Sequence, residues 1–158
     1  MQDQHSKFMR QAIALAESNI GKCLGGPFGA IIVKDNVVIA ESPNLVTSTN
    51  DPTAHAEVSV IRKACEKLQT FDLSGCILYT SCEPCPMCLG AVYWSRLSAF
   101  YYAGTRKDAA AAGFDDEFIY NELNLPANKR QLYTYQLLAE EAKAVFKLWK
   151  DSESKTPY

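Results

Sequence analysis

Four side chains in this sequence have the types and spacing to do chemistry together. His55 and Glu57 stand in TAHAE, and Cys85 and Cys88 stand downstream in SCEPCPMC, giving H-x-E followed by P-C-x-x-C. Zinc takes imidazole nitrogen and thiolate sulfur in a tetrahedral shell, and three protein ligands leave the fourth position to water, the mark of a catalytic site. His55, Cys85 and Cys88 supply three such ligands. A metal in that environment lowers the pKa of a water towards about 7. Glu57 is then the spare carboxyl that takes the proton and passes it on. If the segment from Thr53 to Leu68 is a helix, Glu57 shares a face with Ile61, Ala64 and Leu68, an apolar stripe. A carboxyl is costly there without a task or a partner, and burial raises its pKa into the range useful for proton transfer. A glutamate paired with a core donor is the plainer reading of Glu57 alone; the cysteine pair downstream favours the chemical one.

The cysteines have their own local logic. ILYT, residues 77–80, is a short apolar run between Gly75 and the SCEPCP loop and reads as a buried strand. Pro86 suits the first turn of a helix, where its missing N–H costs little. Cys85 then falls at the helix N-terminus and Cys88 one turn in, where the positive end of the helix favours thiolates. A lone C-x-x-C is ambiguous between metal and redox use, and the upstream H-x-E weighs against redox. Cys82 leaves another reading open: with Cys85, Cys88 and His55 it would close the shell as a structural zinc without water. It ends the strand before the turn at Pro84, so its side chain need not converge on the others. Cys23, Cys65 and Cys76 read as plain buried thiols.

The elements that must position these groups follow from periodicity. Residues from about Gln4 to Ile20 place His5, Phe8, Met9, Ala12, Ile13, Ala16 and Ile20 on one face, predicting an amphipathic helix ended by Gly21. His5 reads as a surface or satisfied core histidine. GGPFG is a loop. AIIVK and VVIAE flank Asp35-Asn36, the two-residue turn of a hairpin. A loop covers residues 42–50, and Asp51 and Pro52 open the helix that carries His55 and Glu57. The cysteine helix reaches about Ser95. AFYYA, residues 99–103, is another strand. An Ala-rich turn follows, then a short helix in GFDDEFIYNEL, a strand in LYTYQLL and a helix from Glu140 to about Lys150, with Ala142, Val145, Phe146 and Trp149 on one side. Strands alternating with helices predict an α/β sandwich with a partly parallel sheet, its metal segments at the carboxyl ends of strands.

Bulk properties bound the partners. The 158 residues suit one domain, 1–158, with residues 152–158 a polar tail. The formal net charge is −2, and Lys and Arg are scattered, with only a short pair at Lys129 and Arg130. A nucleic-acid enzyme is expected to carry a basic face, so nucleic acid is disfavoured. Six cysteines and no signal peptide point to a reducing cytoplasm. The longest apolar runs are far too short to span a membrane.

H-x-E with P-C-x-x-C is the signature of zinc-dependent nucleobase deaminases. GGPFGAIIVKD, NDPTAHAEVSVIRKAC, LYTSCEPCPMCLGA and AGFDD further resemble the bacterial guanine deaminases of the cytidine-deaminase superfamily, over nearly the whole chain. The resemblance implies a three-layer α/β/α sandwich with a central five-stranded mixed sheet. It implies one Zn²⁺ per subunit on His55, Cys85 and Cys88, with Glu57 as proton shuttle. It also implies a homodimer, in which the C-terminal segment can swap to close the partner's site. The family's base-recognition residues fall on Phe28, Asn44, Trp94, Asp116 and Tyr158, although SPNL around Asn44 and the closing TPY depart from its pattern. Phe28 would stack on a purine, and Asn44 offers a donor and an acceptor to a base edge. Trp94 would wall the pocket. Asp116 would accept from a ring N–H and so reject guanosine, or else cap the following helix. Tyr158 would serve as a lid in an otherwise unstructured tail. The implied reaction is hydrolysis of guanine to xanthine and ammonia. Guanosine, cytosine or an aminotriazine is the alternative substrate, and a zinc-stabilised interaction domain or an RNA-editing subunit the alternative class.

Overall fold

The computed structural model describes residues 2–158, which fall into two compact units, one ending at Asp116 and the other Glu117–Tyr158. The first opens with α1 (Gln2–Lys22), followed by the hairpin β1 (Gly29–Lys34) and β2 (Val37–Pro43). After it come α2 (Val46–Thr49), α3 (Ala56–Leu68), β3 (Cys76–Cys82), α4 (Pro86–Trp94), β4 (Ala99–Gly104) and α5 (Arg106–Ala111). The strands form one mixed sheet in the order β2-β1-β3-β4, with β1 antiparallel to both neighbours and β3 parallel to β4. Four strands are present among the described residues, where the family resemblance implied five. LYTYQLL, residues 132–138, is exposed and irregular, with no strand assigned to it. A period-two pattern becomes a strand only where an edge is offered to it.

The alternation of side chains along β1 and β3 divides the core in two. Ala30, Ile32, Cys76 and Leu78 pack with Ala56, Val60, Ile61, Ala64 and Val92. Ile31, Val33 and Tyr79 pack instead with Phe8 and Ala12 of α1. The sheet thus lies between α1 on one face and α3 with α4 on the other, the expected three layers within this unit. Asp35 and Asn36 make the hairpin turn with φ of 49° and 64°, the left-handed pair that matches strand twist. His5 is a satisfied core histidine, its Nδ1 2.7 Å from the Tyr79 hydroxyl.

Several boundaries differ from the sequence reading. Gly21 lies inside α1, and the chain leaves the helix at Cys23, which takes φ 53° and donates its N–H to the Asn19 carbonyl. Cys23 is therefore exposed, not a buried thiol. Asp51 and Pro52 do not open α3: the Asp51 carboxylate accepts from the Thr53 N–H at 2.8 Å and hydroxyl at 2.6 Å, closing a separate turn that delays the helix to Ala56. Part of the expected loop 42–50 is the short α2. The Ala-rich turn is α5, started by a capping box between Thr105 and Asp108.

The second unit holds α6 (Glu117–Asn124), a 3₁₀ turn (Ala127–Lys129) and α7 (Ala139–Asp151). Arg130 ties it locally, its Nε donating to the Glu122 and Leu125 carbonyls. Val145, Phe146, Leu148 and Trp149 of α7 are exposed, as is most of residues 132–138.

α1 crosses β1 closely at Gly29, where a Cβ would stand 2.5 Å from the Ala12 carbonyl oxygen and 2.6 Å from the Leu15 Cβ. Gly29→Ala is expected to lower the unfolding free energy by about 1–3 kcal/mol. Urea denaturation followed by circular dichroism measures this, and wild-type stability would contradict so close an approach.

Candidate metal centre and base pocket

Two of the four chemical residues stand at helix N-caps. His55 precedes α3 with extended backbone (φ −62°, ψ 157°), and Cys85 precedes α4 with φ −65° and ψ 169°. Neither side chain caps its own helix, so both are left to face one another. Pro86 takes the first position of α4, and the Leu89 N–H closes the first turn on the Cys85 carbonyl. That turn brings Cys88 alongside Cys85. The donor atoms of His55, Cys85 and Cys88 all lie within 4.8 Å of one another.

The distances test whether this set fits zinc. His55 Nδ1 lies 3.6 Å from Cys85 Sγ and 3.5 Å from Cys88 Sγ. A tetrahedral ion with Zn–S of about 2.3 Å and Zn–N of about 2.0–2.1 Å requires a nitrogen–sulfur edge of about 3.5–3.6 Å. The set therefore fits a tetrahedral zinc with one position outside it. The proton balance agrees. Cys85 is held down to about 4 by the hydrogen bond from Cys88 and by His55, so it is the thiolate. Cys88 is pushed up by its hydrogen bond to Cys85 and by burial, so it keeps the proton that a divalent cation displaces. The His55 imidazole is raised by its hydrogen bond to Cys85.

Cys82 stays apart. Its thiol donates to the Thr105 carbonyl at 3.6 Å and is pushed up to about 11, mainly by burial. It does not belong to the cluster of possible metal ligands among the described residues.

Glu57 lies beside the cluster and is only 5% exposed. Burial raises its pKa. Its Oε1 accepts from the Thr80 hydroxyl at 2.8 Å, and its Oε2 faces the Cys88 thiol at 3.4 Å. One carboxylate oxygen is thus anchored and the other is turned to the donor set. Thr80 is the group that sequence reasoning missed. Its signal was present: it shares a β3 face with Cys76, Leu78 and Cys82, and a hydroxyl on a buried face needs a partner.

The remaining residues expected at the site are placed unevenly. Phe28 packs edge-on against Phe114, with ring centroids 5.0 Å apart. Both border an open, mainly apolar cavity of about 470 Å³. Asn44 is buried, and its Oδ1 accepts from the Gly26 and Val46 N–H groups at 3.2 and 3.1 Å. That oxygen is committed to backbone, so only the NH₂ remains for a base edge. Asp116 is part-buried, its carboxyl raised by desolvation and by the charge of Cys85, which brings it within electrostatic reach of the donor set. Trp94 ends α4 with 70% of its surface exposed, beside Tyr93 at 75%. Tyr158 is exposed at the end of the second unit.

A three-ligand zinc set with a buried carboxyl beside it, carried on helices that follow the strands of a mixed sheet, defines a hydrolytic zinc deaminase. Residues 2–104 match the family described as the cytidine and deoxycytidylate deaminase zinc-binding region, and the chain belongs to that family. It is 53% identical to the guanine deaminase of Bacillus subtilis (strain 168) over 154 residues, 98% of this chain and 99% of that one. The X-ray structure of the guanine deaminase from Bacillus subtilis superposes with a TM-score of 0.95 at 52% identity, covering 98% of each chain. The tRNA-specific adenosine deaminase of Agrobacterium fabrum is 43% identical over 99 residues, covering 63% of this chain and 64% of that one. The guanine deaminase from Nitrosomonas europaea superposes with a TM-score of 0.66 at 37% identity, over 69% of this chain and 63% of that one.

Purified protein is expected to carry one zinc per chain. Cys85→Ala should lose it and Cys82→Ser should keep it, both read by elemental analysis after dialysis. Loss of zinc from the Cys82 variant would return Cys82 to the ligand set.

Proposed function

We propose that this chain hydrolyses guanine to xanthine and ammonia, with Glu57 as its proton shuttle. The observation that carries the reading is the buried Glu57 carboxyl, turned towards a three-donor zinc set but not a member of it, in a chain so similar over its whole length to the guanine deaminase of Bacillus subtilis. Zinc held by His55, Cys85 and Cys88 would supply the Lewis acidity that activates a water at neutral pH. Glu57 takes one proton from the attacking water and delivers it to a ring nitrogen as the C2–O bond forms; it then takes the second proton from the new C2 hydroxyl and passes it to the amine as the C2–N bond breaks, leaving the C2 carbonyl of xanthine and free ammonia. Its Oε2, turned to the Cys88 thiol, is the atom that carries the proton, while Thr80 holds Oε1 still. Burial keeps the carboxyl basic enough to accept and acidic enough to return a proton.

The base is held by the loops. Phe28 stacks on the purine, and the Asn44 NH₂ donates to an acceptor on its edge. Asp116 accepts from the imidazole N–H, which a ribose would replace, so guanosine is refused. A structural zinc domain has no use for Glu57. The tRNA-specific relatives match a shorter part of this chain, and its formal net charge of −2 offers little to a polyanion.

The assembly is a homodimer, and the chain is a single functional domain. β4 is the outer strand of the sheet, with Tyr101 and Tyr102 exposed. Residues 132–138 are exposed and without assigned secondary structure, with alternating bulky side chains. In this reading residues 132–138 of one copy pair with β4 of another as the fifth strand, and the exposed apolar face of α7 is covered in the same exchange. Trp94 then becomes a pocket wall and the tail 152–158 brings Tyr158 over the site as a lid. Six free cysteines suit a reducing cytoplasm. No helix among the described residues is long and apolar enough to cross a membrane.

Zinc-loaded protein is expected to release ammonia from guanine and far less from guanosine, cytosine or an aminotriazine. Preference for another of these would replace the substrate, and release from none would end the enzymatic reading. Glu57→Gln should keep zinc and lose turnover by roughly 10²–10⁴-fold; near-normal rates would remove Glu57 from its role. Sedimentation should give twice the 17.5 kDa chain mass, and Tyr135→Pro should shift it to monomer, because proline removes a ladder donor. A wild-type monomer would exclude the exchange.

A further inference from the structure

We propose that Asn19 is a positioning residue for the base pocket, clamping the loop that carries Phe28 to the loop that carries Asn44. This rests on the reading of those two residues as the base-binding pair. Asn19 lies in the last turn of α1 with none of its surface exposed. Its Nδ2 donates to the Gly26 carbonyl at 2.8 Å and to the Asn44 carbonyl at 3.0 Å. Both partners only accept, so the NH₂ end must face them. The amide oxygen then points into the interior without a partner among the described residues.

An orphaned buried acceptor is destabilising, and an apolar side chain would avoid it. What the amide provides in return is two donors at one point, aimed at two separate segments. The joint it closes is narrow. The Asn44 N–H donates to the Phe28 carbonyl at 2.9 Å, and the Gly26 N–H donates to Asn44 Oδ1 at 3.2 Å. A Cβ on Gly25 would stand 2.2 Å from Asn44 Oδ1, and one on Gly26 would stand 2.9 Å from the Phe28 ring. The Gly25–Phe28 loop therefore passes against Asn44 with no slack. Asn19 fixes the backbone of both sides at once, and so sets where the Phe28 ring stands relative to the Asn44 amide. Its hydrogen-bond partners are neither the metal ligands nor Glu57, so it governs binding of the base and not the proton transfers.

The test compares Asn19→Ala and the milder Asn19→Ser, which keeps one donor, with wild type. The KM for guanine should rise about tenfold in the Ala variant and less in the Ser variant, with kcat nearly unchanged, the pattern of lost uniform binding. Zinc content should not change. Hydrogen exchange at the Gly26 and Asn44 amides should quicken, while the β1 amides of Ile31 and Ile32 keep their protection. Combined with Asn44→Ala, the Asn19→Ala change should add little further to KM, because coupled residues are not additive. Variants that lose stability yet keep wild-type KM and wild-type loop exchange would reduce Asn19 to a core amide and overturn the proposal, as would full additivity with Asn44→Ala. Absence of ammonia release from guanine by wild type would end the guanine reading instead, and exchange at Gly26 and Asn44 would still decide the clamp.

Discussion

The hydrogen bond from Thr80 to Glu57 joins the two halves of the chemistry. Glu57 is in the first turn of α3 and Thr80 is near the end of β3, so this one contact pins the helix that follows His55 to the strand that leads to Cys85. A carboxyl this deeply buried is costly unless its oxygens are engaged. Thr80 engages one oxygen and leaves the other towards Cys88. The register follows: β3 pairs with β1 at Thr80 opposite Ala30, and with β4 at Thr80 beside Tyr102. A one-residue slip of β3 would turn Thr80 to the α1 face and put the Tyr79 ring where Glu57 needs a donor. The sheet register and the state of the carboxyl are thus one constraint.

The metal chemistry was legible because it depends on residue types at fixed short spacing. H-x-E spans an N-cap and the first turn of a helix, and P-C-x-x-C spans another N-cap and one full turn. Each motif carries its own local geometry, so the sequence distance between them matters little once β3 and α3 share a face. The hairpin was legible for a related reason, since Asp35-Asn36 names its own turn. The start of α3 was not. Asp51 and Pro52 resemble a helix opening, but the Thr53 hydroxyl competes for the Asp51 carboxylate and closes a tighter turn first. Gly21 misled in the opposite direction: a helix ends where a left-handed residue follows, and Cys23 took that conformation.

The fifth strand shows a deeper limit. Residues 132–138 have the alternation of a strand, yet pairing is a property of two segments and not of one. Within the described residues the sheet edge at β4 and the exposed segment are each intelligible alone. Trp94 raises the same problem, because a side chain at the end of α4 is packing or pocket according to what covers it. Residues that depend on a second surface cannot be placed by the periodicity of their own segment.

The base pocket differs in kind from the metal centre. His55, Glu57, Cys85 and Cys88 are fixed by helix ends against a sheet, a rigid support for chemistry that tolerates little displacement. Phe28 and Asn44 sit on loops, where substrate choice can vary without touching the reaction. Loops are poor at holding a ring and an amide at a set distance, and here the looseness is removed by packing glycine against Asn44 and by spending Oδ1 of Asn44 on backbone. That expenditure narrows what Asn44 can offer a ligand: with its oxygen committed, the side chain presents its NH₂ donor and no acceptor. In the proposed function, donors on the base fall to a carboxylate, which is the chemistry Asp116 offers. In the proposed function the selectivity for an unsubstituted purine then comes from an acceptor that a ribose would leave unpaired, a stronger discriminator than the fit of an apolar wall.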